Sequence, residues 1–178
     1  MNKNNKLEDS LNKIFSTAGY KMVDVSNKEV THRKALATGE IILGPQVIEL
    51  IKSKKMPKGD PLSIAEVSGI NGVKKTSELI PLCHPLPLDH ISLHTEINEK
   101  KHSVVVYCLV SANSRTGVEM EALSGVNAAL LAIYDLSKIV EANLKIANIK
   151  LLLKYGGKKG LWINPDGIPD KIKNTLNL

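Results

Sequence analysis

Hydrophobic and polar positions along the chain predict four strands. A β-prone segment at residues 30–43 is the first, with alternate apolar residues on one face. Alternation of apolar and polar residues also predicts a hairpin of strands 88–97 and 103–110 around a turn at 98–101. The last predicted strand covers residues 146–153. The second and third strands are therefore expected to be antiparallel neighbours.

Helix signals fall between these strands. Pro45 starts a helix predicted to reach residue 55, and Asp60 with Pro61 opens another that is predicted to end near residue 80. Ser63 and Glu66 have the spacing of a capping box. The order strand, helices, strand, strand, helix, strand predicts an α+β fold of the ferredoxin-like, split βαβ type. Its sheet would be mostly antiparallel, with helices packed on one face.

A central helix is predicted over residues 116–138, where Thr116 and Glu119 form a second possible capping box. One face is apolar at helical spacing: Leu123, Val126, Leu130 and Ile133. The opposite face has small residues between two carboxylates: Glu121, Ser124, Gly125, Ala128, Ala132 and Asp135. No charge occurs from residue 122 to 134, so both faces are expected to be buried. One would meet the sheet, and the other a helix or a second subunit.

The two carboxylates of this helix lie far apart. At 1.5 Å per residue, Glu121 and Asp135 are separated by roughly 21 Å along the axis. One copy of the helix therefore cannot bring both into one small pocket. Either they do separate jobs, or a symmetric, antiparallel packing of two subunits brings one end near the other. We favour the second interpretation.

Composition adds three expectations. We expect a single domain at residues 22–160, with an N-terminal appendage at 1–21 and a C-terminal tail at 161–178. Two cysteines and no signal or membrane-spanning pattern favour a soluble, cytoplasmic protein with no membrane partner. A net charge of +6 is compatible with a phosphate-bearing small molecule or a nucleic acid, but also with solvated lysine-rich faces.

A proline-rich segment at residues 79–88 holds a cysteine and a histidine in a stiff frame. Because His84 precedes Pro85, its backbone is restricted to extended geometry. A rigid apolar segment that presents one imidazole suits substrate binding or acid–base chemistry, and the alternative is a histidine bonded within the core. A zinc site at Cys83 and His84 is not predicted, since no second ligand pair has suitable spacing.

Other charged residues have a chemical and a structural interpretation. Asp135 and Lys138 are spaced i, i+3 on one helix face, and Lys58 lies in a Pro-Lys-Gly-Asp loop. All three could be surface charges. If Asp135 and Lys138 were buried, each would shift the other's proton affinity and form a proton-transfer pair. Glycines and lysines at residues 154–160 suit either a phosphate-binding turn or a flexible basic loop.

Together, these segments resemble the cyclic pyranopterin monophosphate synthase family, the C protein of molybdenum-cofactor biosynthesis. The resemblance covers residues 22–160, and its motifs IPLCHPL and GVEMEAL are highly specific. Arg115 stands where the family often has lysine, a departure that retains the charge. The matching segments, in the family's order, are MVDVSNKEVTHRKA, PKGDPLSIAEVSGI, KKTSELIPLCHPL, TGVEMEALSGVNAALLAIYDLSK and LLLKYGGKKG.

The resemblance implies a reaction and an assembly. The family converts 3′,8-cyclo-7,8-dihydroguanosine triphosphate, made from GTP by a radical enzyme, to cyclic pyranopterin monophosphate and pyrophosphate. Because the steps are proton transfers and a phosphoryl displacement, the lyase needs no redox cofactor. Mg²⁺ is compatible with the triphosphate, but no carboxylate cluster requires it. The family assembles as homohexamers, trimers of dimers, with active sites at subunit interfaces.

The resemblance also implies roles for individual residues. Lys58, Asp135 and Lys138 would form the catalytic centre, where a lysine needs its pKa lowered by burial or a second cation. The residues implied to hold the pterin-forming base are Cys83, His84, Glu119, Met120 and Glu121. Those implied to contact the triphosphate are Arg33 and Lys154, with Lys74 and Lys75 as further candidates.

Two other function classes explain less of the sequence than an enzyme does. A ferredoxin-like nucleic-acid-binding module would fit the basic charge, but the chain is only 3% aromatic, with Tyr107 alone in the predicted hairpin. A purely structural subunit would leave the Asp135–Lys138 pair and the proline-framed His84 unexplained. The sequence therefore favours an enzyme without a nucleic-acid partner.

Overall fold

A computed structural model describes residues 3–16 and 19–176 and confirms the α+β class. The helices are α1 (Lys3–Phe15), α2 (Pro45–Lys52), α3 (Pro61–Lys74), α4 (Thr76–Leu79), α5 (Glu119–Ser137) and α6 (Asp170–Leu176). The strands are β1 (Thr31–Ile42), β2 (His90–Asn98), β3 (Ser103–Ser114), β4 (Lys145–Tyr155) and β5 (Trp162–Ile163). A 3₁₀ turn at Glu99–Lys101 joins β2 to β3.

The five strands form one sheet in the order β2-β3-β1-β4-β5, and all neighbouring pairs are antiparallel. The first four positions of this order are those of the ferredoxin-like split βαβ fold, which confirms the predicted fold class. β3 continues four residues beyond the predicted end at 110, because it stays paired with β1 as far as the Thr31–Ser114 pair. Pairing with a neighbour, rather than local alternation, therefore sets the end of this strand.

The core lies between one face of the sheet and the helices α3 and α5. Alternate residues of β1 point into it, and Ala35, Ala37 and Ile41 are fully buried. A Cβ placed on Gly39 would lie 2.7 Å from Leu130 Cδ1. The missing side chain at Gly39 thus lets α5 lie directly on the middle of the sheet.

The second side of α5 packs against α3 through small residues, as predicted. A Cβ placed on Gly72 would lie 2.5 Å from Ala128 Cβ, and one placed on Gly69 would lie 3.0 Å from the carbonyl oxygen of Gly125. The sandwich of α5 between sheet and helix is therefore confirmed over the middle of the helix. At the C-terminal end of α5 the second face is open at Asp135, whose side chain is 52% exposed, although Leu136 and Ser137 beside it are buried.

Both predicted capping boxes are wrong. Val118 is the N-cap of α5 and makes no side-chain bond, whereas the Glu119 carboxylate accepts a hydrogen bond from Lys154 Nζ at 2.9 Å. Asp60, not Ser63, caps α3, and the Ser63 hydroxyl donates to Asp60. Two other predicted ends also differ: α2 stops at Lys52, and the helix predicted to reach residue 80 is broken into α3 and α4.

The segment after residue 160 contributes to the sheet. Trp162 pairs with Lys154, and Asn164 bonds to the backbone oxygens of Leu151 and Leu152. Lys171 in α6 then contacts Glu96 on β2, so the segment crosses the open face of the sheet. Of the expected appendage (1–21) and tail (161–178), residues 1, 2, 17, 18, 177 and 178 lie outside the described residues.

Candidate functional site

Asp135 lies between two lysines at the C-terminal end of α5. Its Oδ1 is 2.8 Å from Lys138 Nζ and its Oδ2 is 3.1 Å from Lys58 Nζ. The Lys58 ammonium also donates to the Asp135 backbone oxygen at 3.4 Å. Asp135 of α5, its C-cap residue Lys138 and Lys58 of the loop before α3 thus form a compact charged cluster, which we call the lysine–aspartate cluster.

The cluster is open to solvent in the single chain, where between two-fifths and three-fifths of each side chain is exposed. Hydrogen bonds from Lys138 and Lys58 lower the pKa of Asp135 below its ordinary value. The bond to Asp135 in turn raises the pKa of Lys138. This direction is opposite to the one expected for a lysine that transfers protons near neutral pH. Burial by another surface would be needed to reverse it.

A cleft of about 430 Å³ lies at the other end of α5, and we call it the base cleft. The proline-rich segment forms one wall, and the first turn of α5 forms another. Val23 and Val25, from the segment before β1, lie on a third side. The predicted site residues that line it are Cys83, His84, Glu119, Met120 and Glu121.

Glu121 is the buried carboxylate of the base cleft. The residue is only 4% exposed. Burial is the main cause that raises its pKa above the ordinary value, and the neighbouring Glu119 adds to the effect. A buried acid with a raised pKa, at the wall of a cleft, is typical of a functional group rather than a stabilising one.

Replacing Glu121 with Gln should therefore stabilise the fold at neutral pH. Because the folded-state pKa is raised, the unfolded chain ionises first. Wild-type stability then falls as pH rises from about 4.5 through the folded-state pKa, and stays lower above it. We expect Glu121→Gln to increase the free energy of unfolding in urea at pH 8 and to leave it unchanged at pH 4.

The matched control for this measurement is Glu78→Gln, which removes an exposed carboxylate paired with Lys75. That variant should show no gain in stability at pH 8. A Glu121→Gln protein that is less stable than wild type at pH 8 would contradict the interpretation of Glu121 as a buried acid with a raised pKa.

A basic groove of about 730 Å³ opens from the base cleft, and the two share Lys28, Thr116, Gly117 and Glu119. The cationic side chains along the groove far outnumber its two acids, Glu29 and Glu119, so the groove favours an anionic ligand. The basic residues that line it are Lys28, Arg33, Lys34, Arg115, Lys154, Lys158 and Lys159.

Arg33 and a glycine turn line this basic groove together. The Arg33 guanidinium donates to the backbone oxygens of Ser114 and Arg115, at 3.4 and 3.5 Å. Gly157 has φ +72°, and a Cβ there would lie 2.1 Å from Arg33 Nη1. A side chain at residue 157 would therefore displace the guanidinium, which explains the use of glycine beside the lysines of this turn.

Lys74 lies apart from the basic groove. It lines a third cleft, of about 490 Å³, on the other side of His84 and Glu121. Lys75 pairs with Glu78 at 2.8 Å instead of facing a cleft residue. The structure thus brings Lys74 near the predicted base-binding residues but not near Arg33 and Lys154.

The predicted site residues form two groups at opposite ends of α5. The base cleft and basic groove lie together, and the lysine–aspartate cluster lies at the far end. Sequence reasoning missed Lys28, whose backbone oxygen accepts a hydrogen bond from Arg115 Nε at 3.1 Å. The sequence signal for Lys28 was its position in MVDVSNKEVTHRKA, one of the segments that carry the family resemblance.

Within residues 3–16 and 19–176, no three histidine, cysteine, aspartate or glutamate side chains lie close enough to hold a metal ion. Across the same ranges, no helix is both long and apolar enough to cross a bilayer.

Comparison with known proteins identifies the family. The model of the MoaC family matches residues 22–157, which contain the base cleft, the lysine–aspartate cluster and all of the basic groove except Lys158, Lys159 and Gly160. This chain belongs to the MoaC family. The family membership inferred above from short sequence motifs is thereby confirmed.

Three relatives of this MoaC-family chain carry informative names. A "Cyclic pyranopterin monophosphate synthase" of Chloroflexus aggregans is 43% identical over 86% of this chain and 93% of its own length. One of the same name from Thermomicrobium roseum is 44% identical over 82% of this chain and 88% of its own length. A "Molybdenum cofactor biosynthesis bifunctional protein" of Synechococcus elongatus is 44% identical over 84% of this chain. There, the match spans only 47% of the relative's length.

Proposed function

We propose that this chain is a cyclic pyranopterin monophosphate synthase of molybdenum-cofactor biosynthesis. The observation that carries the proposal is the continuity of two sites: a cleft with a buried carboxylate opens directly into a groove rich in cations. A nucleoside triphosphate has the matching shape, with a polar ring at one end and a polyanion at the other. The MoaC family and the names of its relatives support the same activity.

The proposed substrate is 3′,8-cyclo-7,8-dihydroguanosine triphosphate, which the base cleft and basic groove would hold together. His84, Glu119 and Glu121 would bind the purine-derived ring system. Arg33 and Lys154 would contact the triphosphate, since a guanidinium fork matches phosphate oxygens. The products would be cyclic pyranopterin monophosphate and pyrophosphate, so that the enzyme acts as a lyase.

The chemistry proposed for this site consists of proton transfers during ring opening and ring closure, followed by displacement of pyrophosphate. Such steps involve no change of oxidation state and need no redox cofactor. The lysine–aspartate cluster would supply the acid and base groups, because it contains a carboxylate within bonding distance of two ammonium groups.

We further propose that each active site combines two copies of the chain. The cluster and the base cleft are roughly 21 Å apart along α5, too far to share one substrate within a single copy. An antiparallel pair of copies would place the cluster of one beside the cleft of the other. Exposed apolar side chains on the outer faces of α3 and α5 support such a contact, including Ile64, Val67 and Leu131. Three such pairs would make a hexamer.

Co-expression of two inactive variants tests the shared site. Glu121→Gln impairs the base cleft, and Asp135→Asn impairs the cluster. If each site uses both copies, a mixed pair contains one intact site and one doubly damaged site. Random mixing makes about half of the pairs mixed, and each mixed pair has one intact site of its two. About a quarter of wild-type activity should therefore return. Sites contained within one copy would leave the co-expressed protein as inactive as its parents.

A direct assay tests the function itself. The purified protein would receive the cyclised dihydro-GTP, generated in place, and the product would be followed as its oxidised fluorescent pterin together with released pyrophosphate. Formation of both products by wild type is the expected result. A folded wild-type protein that forms neither would overturn the proposal.

A cytoplasmic location also forms part of the proposal, supported by two free cysteines, Cys83 and Cys108. The nucleic-acid alternative gains no support from the sheet. Its open face is where ferredoxin-like modules stack bases, but here Tyr107 shares a pocket with residues 166–169 of the crossing C-terminal segment.

A further inference from the structure

The short loop that carries Lys58 is anchored at its first end by Met56. The Met56 side chain is 7% exposed and belongs to the hydrophobic core. The backbone N–H of Gly59 donates to the Met56 oxygen at 3.2 Å, which closes a tight turn around Lys58. The turn leaves the Lys58 ammonium 3.1 Å from Asp135 Oδ2, across the gap to α5.

Asp60 anchors the other end of the loop. Its Oδ1 accepts a hydrogen bond from the Leu62 backbone N–H at 3.0 Å, and its Oδ2 accepts one from the Ser63 hydroxyl at 2.5 Å. Between the two anchors, Gly59 has φ +93°. A Cβ at Gly59 would meet nothing within 4 Å, so glycine is needed there for its backbone conformation alone.

The helix that Asp60 caps is itself held firmly against α5. At Gly72 of α3, a built Cβ would lie 2.9 Å from the Ser124 carbonyl oxygen of α5. Such a close backbone approach leaves little freedom for sliding between the two helices. This contact lies near the C-terminal end of α3 and the N-terminal end of α5, and the rigidity of the two helices extends the constraint to the start of α3 and to Asp135. The Asp60 bonds then fix the Lys58 turn relative to the start of α3.

We infer that Asp60 is a positioning residue for Lys58. Its carboxylate holds the first turn of α3 and the Lys58–Gly59 turn in one arrangement, so that the lysine ammonium meets Asp135. Without this anchor, a long lysine side chain on a glycine-containing turn would sample many positions. The part of this inference that concerns turnover rests on the proposed function, whereas the geometric part does not.

A titration of Asp135 tests the geometric part. The full-length protein would carry ¹³C-carboxyl aspartate, and the Asp135 signal would be assigned by its loss in Asp135→Asn. Lys58→Met defines how far the pKa of Asp135 rises when the Lys58 contact is absent. Asp60→Ala should raise the pKa of Asp135 by more than half of the increase seen in Lys58→Met. Asp60→Asn keeps an oxygen for the Leu62 N–H and should restore a titration close to wild type.

A role as a helix cap alone predicts a different result. Asp60→Ala would then lower the melting temperature and leave the titration of Asp135 as in wild type, which would overturn the inference. If Asp60→Ala does not fold, Ser63→Ala removes only the 2.5 Å bond and should raise the pKa of Asp135 by a smaller amount. An unchanged titration in that variant would likewise count against the inference.

Activity gives the second readout. Asp60→Ala should lower kcat with little change in KM, as expected for a misplaced catalytic lysine, and Asp60→Asn should recover most of the kcat. If wild type itself forms no pterin, the proposed function fails, but the Asp135 titration still decides whether Asp60 positions Lys58. The two failures are therefore distinguishable.

Discussion

Asp135→Asn should lower the turnover of cyclised dihydro-GTP by about a hundredfold or more, since general acid–base groups contribute roughly 10²–10⁴ in rate. The amide keeps the size of the side chain but removes the charge that Lys58 and Lys138 contact at 3.1 and 2.8 Å. Because the Asp135 side chain is half exposed, folding should be nearly unaffected. Steady-state rates of pterin formation, with circular dichroism to confirm folding, provide the measurement.

The control for Asp135 is another aspartate paired with a lysine. Asp166 Oδ2 lies 3.3 Å from Lys150 Nζ, and its side chain is 75% exposed. Asp166→Asn therefore makes the same chemical change in a surface ion pair away from the cluster, and should alter turnover by less than about twofold. Equal rates for Asp135→Asn and wild type would show that Asp135 takes no part in proton transfer.

Leu130→Ala should produce the largest loss of stability, about 2–5 kcal/mol in the free energy of unfolding. Leu130 is fully buried, and its Cδ1 lies only 2.7 Å from the position that a Cβ of Gly39 would take. The alanine would leave a cavity between α5 and β1 in the middle of the core, where neighbouring backbone cannot easily close in. Urea denaturation at a fixed protein concentration measures the effect.

Leu7→Ala serves as the matched control, because it deletes the same atoms from a helical leucine that is 62% exposed. Its effect should stay within about 0.5 kcal/mol. A Leu130→Ala variant that loses less than about 1 kcal/mol would mean that the core around Gly39 rearranges to fill the space.

The hydrophobic pattern predicted much of the fold because its main elements are long and regular. Each of the four principal strands buries one face along many residues, and the central helix buries two, so the repetition is visible in the sequence. The two-residue strand β5 has no such repetition. It pairs with β4 at Leu153 and Lys154, and Asn164 just after it also bonds to the backbone of β4. The local hydrophobic pattern could not reveal β5, because this strand is defined only by its pairing with β4.

Glu119 shows how tertiary contacts override a local motif. Its spacing from Thr116 suits a capping box, but the folded chain places Lys154 Nζ within 2.9 Å of its carboxylate. A charged partner 35 positions away competes successfully with a backbone N–H nearby. The same contact joins the base cleft to the basic groove, so the failed prediction falls at the candidate site.

The amino-acid sequence was enough to predict the fold class, the family and most of the candidate site residues. These depend on residue type and spacing, which the chain carries directly. The folded chain supplies the contact between Lys58 and Asp135 across 77 positions, brings Lys28 and Arg115 to the groove, and leaves Glu121 only 4% exposed. Such distances and burials arise from helix and strand packing, and no local pattern of residues encodes them.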